Sequence, residues 1–154
     1  MLGANGSHGK PPSFAVEVYE IAGRERGPTR YADASLQQFL EVLRAIDWPM
    51  ETARSLWAGS GAPGMAAIDN NTGNRFWFAG YNWAHAVVPG GGSTYRETTE
   101  YVAGMADVEG QSILKDRAIP SLDLIESLFE EYFYGRISEL KRLLREYPVT
   151  DVYA

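Results

Sequence analysis

The chain has 154 residues, 45% of them hydrophobic, and carries 20 Asp and Glu against 14 Lys and Arg, a net charge of −6. That is the length of one domain, with enough apolar matter to bury roughly 70% of the unfolded surface, so disorder throughout is excluded. The acidic balance opposes adhesion to nucleic-acid backbones and anionic lipid, no window offers the roughly 18 apolar residues of a membrane helix, and the absence of cysteine removes disulfide and thiolate chemistry.

Residues 1–13 contain Pro11-Pro12 and several glycines without apolar periodicity, which predicts a flexible leader before a single domain over 14–154. No basic and apolar secretory pattern opens the chain, so a cytoplasmic location is expected. In residues 14–21, Phe14, Val16 and Val18 alternate with Ala15, Glu17 and Tyr19, the period of a half-buried strand. Residues 23–28 read as a charged loop. Ser35 followed by Gln38 forms a capping box, and Leu36, Phe39, Leu40 and Leu43 recur at helical spacing, so a helix is expected to end near Ile46. Residues 51–57 suit a short helix or a strand, and strand is the expectation.

From residue 65 to 114 the pattern is β throughout. Short apolar or alternating runs at 65–68, 75–79, 83–88 and 100–107 are separated by turn residues, with a hairpin at 69–74 and a wider glycine loop at 89–94. Leu122, Ile125, Leu128, Phe129, Tyr132 and Phe133 then form a helical stripe, Gly135 is a stop signal, and Ile137, Leu140, Leu144 and Tyr147 mark a last helix before Pro148. The order predicts an α+β fold: an antiparallel sheet of about five strands, with an N-terminal helix and C-terminal helices packed on one face.

Little in the chain suits bond-breaking chemistry. His8 and His85 are its two histidines, too few for a metal site built on paired histidines in the folded region, and no metal or cofactor is expected. Gly59-Ser60-Gly61-Ala62-Pro63-Gly64 matches the dinucleotide fingerprint by letter, but that fingerprint needs a strand before it and a helix after it. Gly90-Gly91-Gly92-Ser93-Thr94 lacks the Lys and helix of a phosphate loop and reads as a hairpin connection.

Seven of the 19 aromatic residues fall between Arg75 and Tyr101, which points to recognition. In Phe76-Trp77-Phe78, alternation sends Trp77 to the face opposite its neighbours, so either both sheet faces are covered or Trp77 is partly exposed. Single-strand nucleic-acid binders surround such rings with Lys and Arg, whereas the charge here is mostly negative.

The run Val102-Ala103-Gly104, residues 113–117, Ala118-Ile119-Pro120-Ser121-Leu122 and Phe129-Glu130-Glu131-Tyr132-Phe133-Tyr134-Gly135 resembles bacterial immunity proteins that neutralise deaminase and other polymorphic toxins, over about residues 65–135. The resemblance implies an α+β fold, no enzymatic activity, and occlusion of the active cleft of a cognate toxin. A toxin acting on nucleic acid needs a basic cleft, which an acidic inhibitor complements.

The expected partner is therefore a basic protein toxin, with no nucleic acid or membrane involved, and the expected interface is Tyr81, Trp83, Tyr95, Glu97 and Glu100 around the glycine loop. Two rival readings follow from the same residues. One is a ligand-binding or enzymatic pocket lined by Trp57, Phe78, Trp83 and His85, with Asp107 or Glu109 beside the histidine. The other is an adaptor that dimerises through the apolar stripe of residues 137–147.

Overall fold

The computed structural model of the protein describes residues 11–21, 29–58, 61–82, 86–88, 92–94 and 99–150. Its elements are β1 (Phe14–Tyr19), β2 (Thr29–Ala34), α1 (Leu36–Ala45), α2 (Trp48–Ala58), β3 (Gly64–Asp69), β4 (Arg75–Asn82), β5 (Ala86–Val88), β6 (Gly92–Thr94), β7 (Thr99–Ala106), β8 (Ser112–Ile119), α3 (Leu122–Phe133) and α4 (Ile137–Arg145). Six strands form one antiparallel sheet in the order β2-β1-β3-β4-β7-β8, and β5 and β6 pair as a separate two-stranded ribbon. The fold is thus α+β, with one strand more in the main sheet than the run lengths suggest.

Strand alternation divides this sheet into two unlike faces. Phe14, Val16 and Val18 of β1, Met65 and Ala67 of β3, Phe76 and Phe78 of β4, and Tyr101, Ala103 and Met105 of β7 join the helices in the main core. There Phe129 of α3 lies 4.3 Å from the ring of Phe39 and 4.4 Å from that of Phe76. The opposite face carries a small satellite cluster of Ala15, Ala66 and Ile68, with Tyr19 and Trp77 packed against it, and no described helix covers it.

The local signals for α1 and α3 act as expected. Ser35 Oγ accepts from the Gln38 backbone and the Gln38 side chain accepts from the Ser35 backbone, the reciprocal capping box. At the end of α3, Gly135 takes φ 75°, and the bonds Gly135 N–H to Tyr132 O and Arg136 N–H to Glu131 O close a Schellman motif. The 69–74 hairpin closes through Asp69 N–H to Asn74 O at 2.8 Å, and Tyr132 Oη of α3 donates to the same Asn74 oxygen.

Residues 51–57 are not a strand: they belong to α2. Asp47 Oδ1 accepts from Met50 N–H and Pro49 occupies the first turn, where its missing N–H costs nothing. After the buried Trp48, the inward positions described in this helix are Glu51, Thr52 and Ser55, all buried, so over the expected strand its period is written in polar residues and escapes an apolar pattern. Thr52 Oγ1 is fully buried without a hydrogen bond and presses on Gly80, where a Cβ would lie 2.6 Å from it.

Three further expectations are corrected. Strand β2 was not anticipated, because four of its six residues are exposed and show no alternation. Residues 86–88 do form a strand, but in the ribbon with β6 rather than in the main sheet. The stripe of α4 is spent within the molecule: Leu140 and Leu144 are buried in the main core, with Ile137 and Tyr147 packed on it, which removes the basis for a dimer through this helix. Past α4 the chain lies along the outer edge of β8, with Ala118 N–H donating to Pro148 O and Thr150 N–H to Asp116 O. Those bonds cover the edge at 116–118. Residues 11–13, placed in the expected leader, are tied down at Ser13 and Pro11 by Asn70 and Asn71. Residues 1–10 lie outside the described residues.

Candidate functional site

The helix-free face is built on small residues. Gly64 and Ala66 of β3, Ala79 of β4, and Gly104 and Ala106 of β7 stand where the register brings the central strands together. Because their side chains are at most a methyl group, the larger residues around them enclose a groove of about 640 Å³. Its walls are Tyr19, Arg75, Trp77 and Tyr81, and one end is the turn of Asp107, Val108, Glu109 and Gly110. Trp77 is half-buried while Phe76 and Phe78 are buried in the main core, the separation that alternation requires.

The indole of Trp77 is held low. Cζ2 and Cε2 lie 2.8 and 2.9 Å from where a Cβ on Gly104 would stand, and Asp116 Oδ1 lies 2.5 Å from the same point. Only a glycine on β7 lets the ring and this carboxylate meet over the strand. The turn is fixed by Asp107, whose Oδ1 accepts from the Glu109 and Gln111 backbones at 2.9 Å each, with Gly110 at φ 84°. Val108 leans on Gly73 of the neighbouring hairpin.

Beside the groove sits a polar cluster. Glu17 Oε1 accepts from Tyr19 Oη at 2.5 Å and from Arg75 Nη2 at 3.1 Å, Oε2 accepts from Arg30 Nη1 at 2.6 Å, and Arg75 Nη1 donates to Tyr19 Oη at 3.0 Å. Burial by itself would raise the Glu17 carboxyl, but hydrogen bonds from Tyr19 and Arg30 and the charges of Arg75 and Arg30 outweigh it and hold the group below its ordinary value. Tyr19 moves the other way, because burial and its bond to Glu17 both favour the protonated phenol.

The sign of the pH dependence follows. A carboxyl whose pKa is depressed by folding contributes stability that is complete above its unfolded value and is lost as pH falls through the folded one. Glu17→Gln should therefore flatten stability against pH on the acid side, between about pH 5 and pH 2, and change its shape little above that. Urea midpoints across that range test this, and curves of identical shape would refute it.

Of the expected interface residues, Tyr81 and Glu100 are brought together as direct cross-strand partners of β4 and β7, Tyr81 on the groove wall and Glu100 exposed beside it. Trp83, Tyr95 and Glu97 lie outside the described residues. Of the rival pocket, the Phe78 ring points to the helices and packs on Trp48, Tyr101 and Phe129 in the main core. Trp83 and His85 lie outside the described residues, and of Trp57 the described part is its backbone in α2. The dinucleotide fingerprint is inverted, with α2 before it and β3 after it. Among the described residues no three His, Cys, Asp or Glu side chains form a metal-ligand group, and no helix is long and apolar enough to cross a membrane.

The central groove residues Tyr19, Arg75 and Trp77 were absent from the expected interface. The one signal for them is the Trp77 alternation combined with Gly104, which faces it only once the β4–β7 register is known. Compared with known protein families, curated proteins and solved structures, the chain has no match.

Proposed function

We propose that this chain is a cytoplasmic binding protein that neutralises a basic protein toxin by covering its active cleft, in the manner of an immunity protein. The observation that carries this reading is the helix-free sheet face, where a groove walled by Trp77, Tyr19 and Tyr81 is bordered by Glu100, Asp107 and Glu109. Half-buried aromatic anchors beside carboxylates suit association with a basic protein, the rings supplying contact energy and the charges speeding encounter. The resemblance over residues 65–135, which includes β7, β8 and α3, supports the same reading.

The test is direct binding of the chain to a toxin domain encoded beside its own gene, measured by calorimetry and stopped flow. Wild type should bind tightly, with association that slows as salt rises. Tyr81→Ala combined with Glu100→Ala should weaken the complex about thirtyfold, the size of one hot-spot residue and a rim charge. Unchanged affinity in that double variant would remove the interface from this face, and failure of wild type to bind would remove the function.

A further inference from the structure

Trp77 lines the groove with its indole half-buried, and Arg75, which lines the same groove, is bonded to Glu17 and Tyr19. Both of the guanidiniums on this side of the groove, Arg75 and Arg30, bond to the same carboxylate, Glu17. The rim carboxylates are differently placed. Asp107 and Glu109 line the same groove as Trp77, Glu100 stands across from Tyr81, and none of the three has a Lys or Arg partner among the described residues. Counting Glu17, and Asp116 that meets the indole over Gly104, this gives five carboxylates to two guanidiniums.

An indole face with negative charge within reach is the environment that holds a desolvated cation best. The small floor of Gly64, Ala79 and Ala106 leaves depth for a long side chain to lie along the ring. An anionic ligand would find Arg75 already paired with Glu17 and would face the acidic turn at the other end of the groove.

We infer that the Trp77 groove receives an arginine or lysine side chain from a basic segment of the protein partner, stacked on the indole and facing Asp107 and Glu109. This rests on the reading of the chain as a protein-binding molecule and specifies what its groove recognises.

The probe is a short arginine–glycine peptide, with a second peptide in which citrulline replaces arginine, keeping the planar shape while removing the charge and turning one donor group into a carbonyl acceptor. Indole N–H resonances of the full chain are followed by NMR, and Trp77→Phe assigns the relevant signal among the four tryptophans. The Trp77 signal should shift saturably with the arginine peptide, and the citrulline peptide should bind about tenfold more weakly, the size of a partly desolvated cation–π contact. Asp107→Asn with Glu109→Gln should weaken the arginine peptide to a similar degree, while the other three indole signals stay in place and report an intact fold.

Equal binding of the two peptides, or a Trp77 signal indifferent to both, would overturn the inference. The outcome is separable from that of the proposed function. A toxin domain that binds through Tyr81 and Glu100 while Trp77 ignores arginine leaves the inhibitor reading standing and removes the cation site. An arginine-responsive Trp77 in a chain that binds no such toxin does the reverse.

Discussion

Phe129→Ala should destabilise the protein by about 4 kcal/mol, the largest loss expected from any single core truncation here. The ring is fully buried and stands at the convergence of α1, α3 and β4, stacked on Phe39 at 4.3 Å, against Phe76 at 4.4 Å and edge-on to Phe78 at 5.7 Å. Its removal forfeits the transfer free energy of the ring and leaves a cavity that three other rigid rings cannot collapse to fill. Beyond burial, aromatic pairs of this geometry add about 0.5–1.5 kcal/mol each, so neighbours lose more than contact area. Since domains of this size hold about 5–15 kcal/mol in all, the loss removes between about a quarter and four-fifths of the total. Urea denaturation measures it, with the midpoint falling and the slope unchanged; a loss under about 1 kcal/mol would show that the core relaxes around the gap.

Gly64→Ala is the second large effect, and its sign is informative. An exposed glycine in a strand is normally improved by alanine, by about 0.5–1 kcal/mol, because the unfolded chain loses freedom. At Gly64 the new Cβ would lie 2.2 Å from the Phe78 carbonyl oxygen and 3.1 Å from the Ala79 Cα, both backbone atoms of the paired strand β4. No rotamer can relieve a clash with backbone, so β3 and β4 must separate where Gly80 N–H bonds to Pro63 O at 2.8 Å. A cost of about 3 kcal/mol is expected, lowering Tm by roughly 6–12 °C, and the groove floor shifts with the strands. Thermal melting decides it: an unchanged or raised Tm would mean that the strands part without penalty.

These two positions illustrate how differently the parts of the molecule can be read. Phe129 belongs to a stripe whose helical period is visible along the chain, as are the cap at Ser35, the hairpin at 69–74 and the stop at Gly135. All are local: each is a relation between residues a few positions apart, and hydrogen bonds within one turn enforce it. Helix α2 escapes that reading because Glu51, Thr52 and Ser55 face inward. Strand β2 escapes it because an edge strand exposed over most of its length needs no alternation and is held by its bonds to β1.

The candidate site lies still further from local reading. That Trp77 leaves the main core follows from alternation alone, and so does the acidic, ring-bearing character of the segment around it. That Trp77 rests over Gly104, that Tyr81 faces Glu100, and that Glu17 gathers Arg30 and Arg75 depends on the strand order β2-β1-β3-β4-β7-β8 and its register. Glu17 and Arg75 are 58 positions apart in the chain. Local propensity and period acted on neighbours and so declared the α+β class and most of its elements. The groove arises between strands, where pairing register and the absence of side chains at Gly64 and Gly104 determine which distant groups meet.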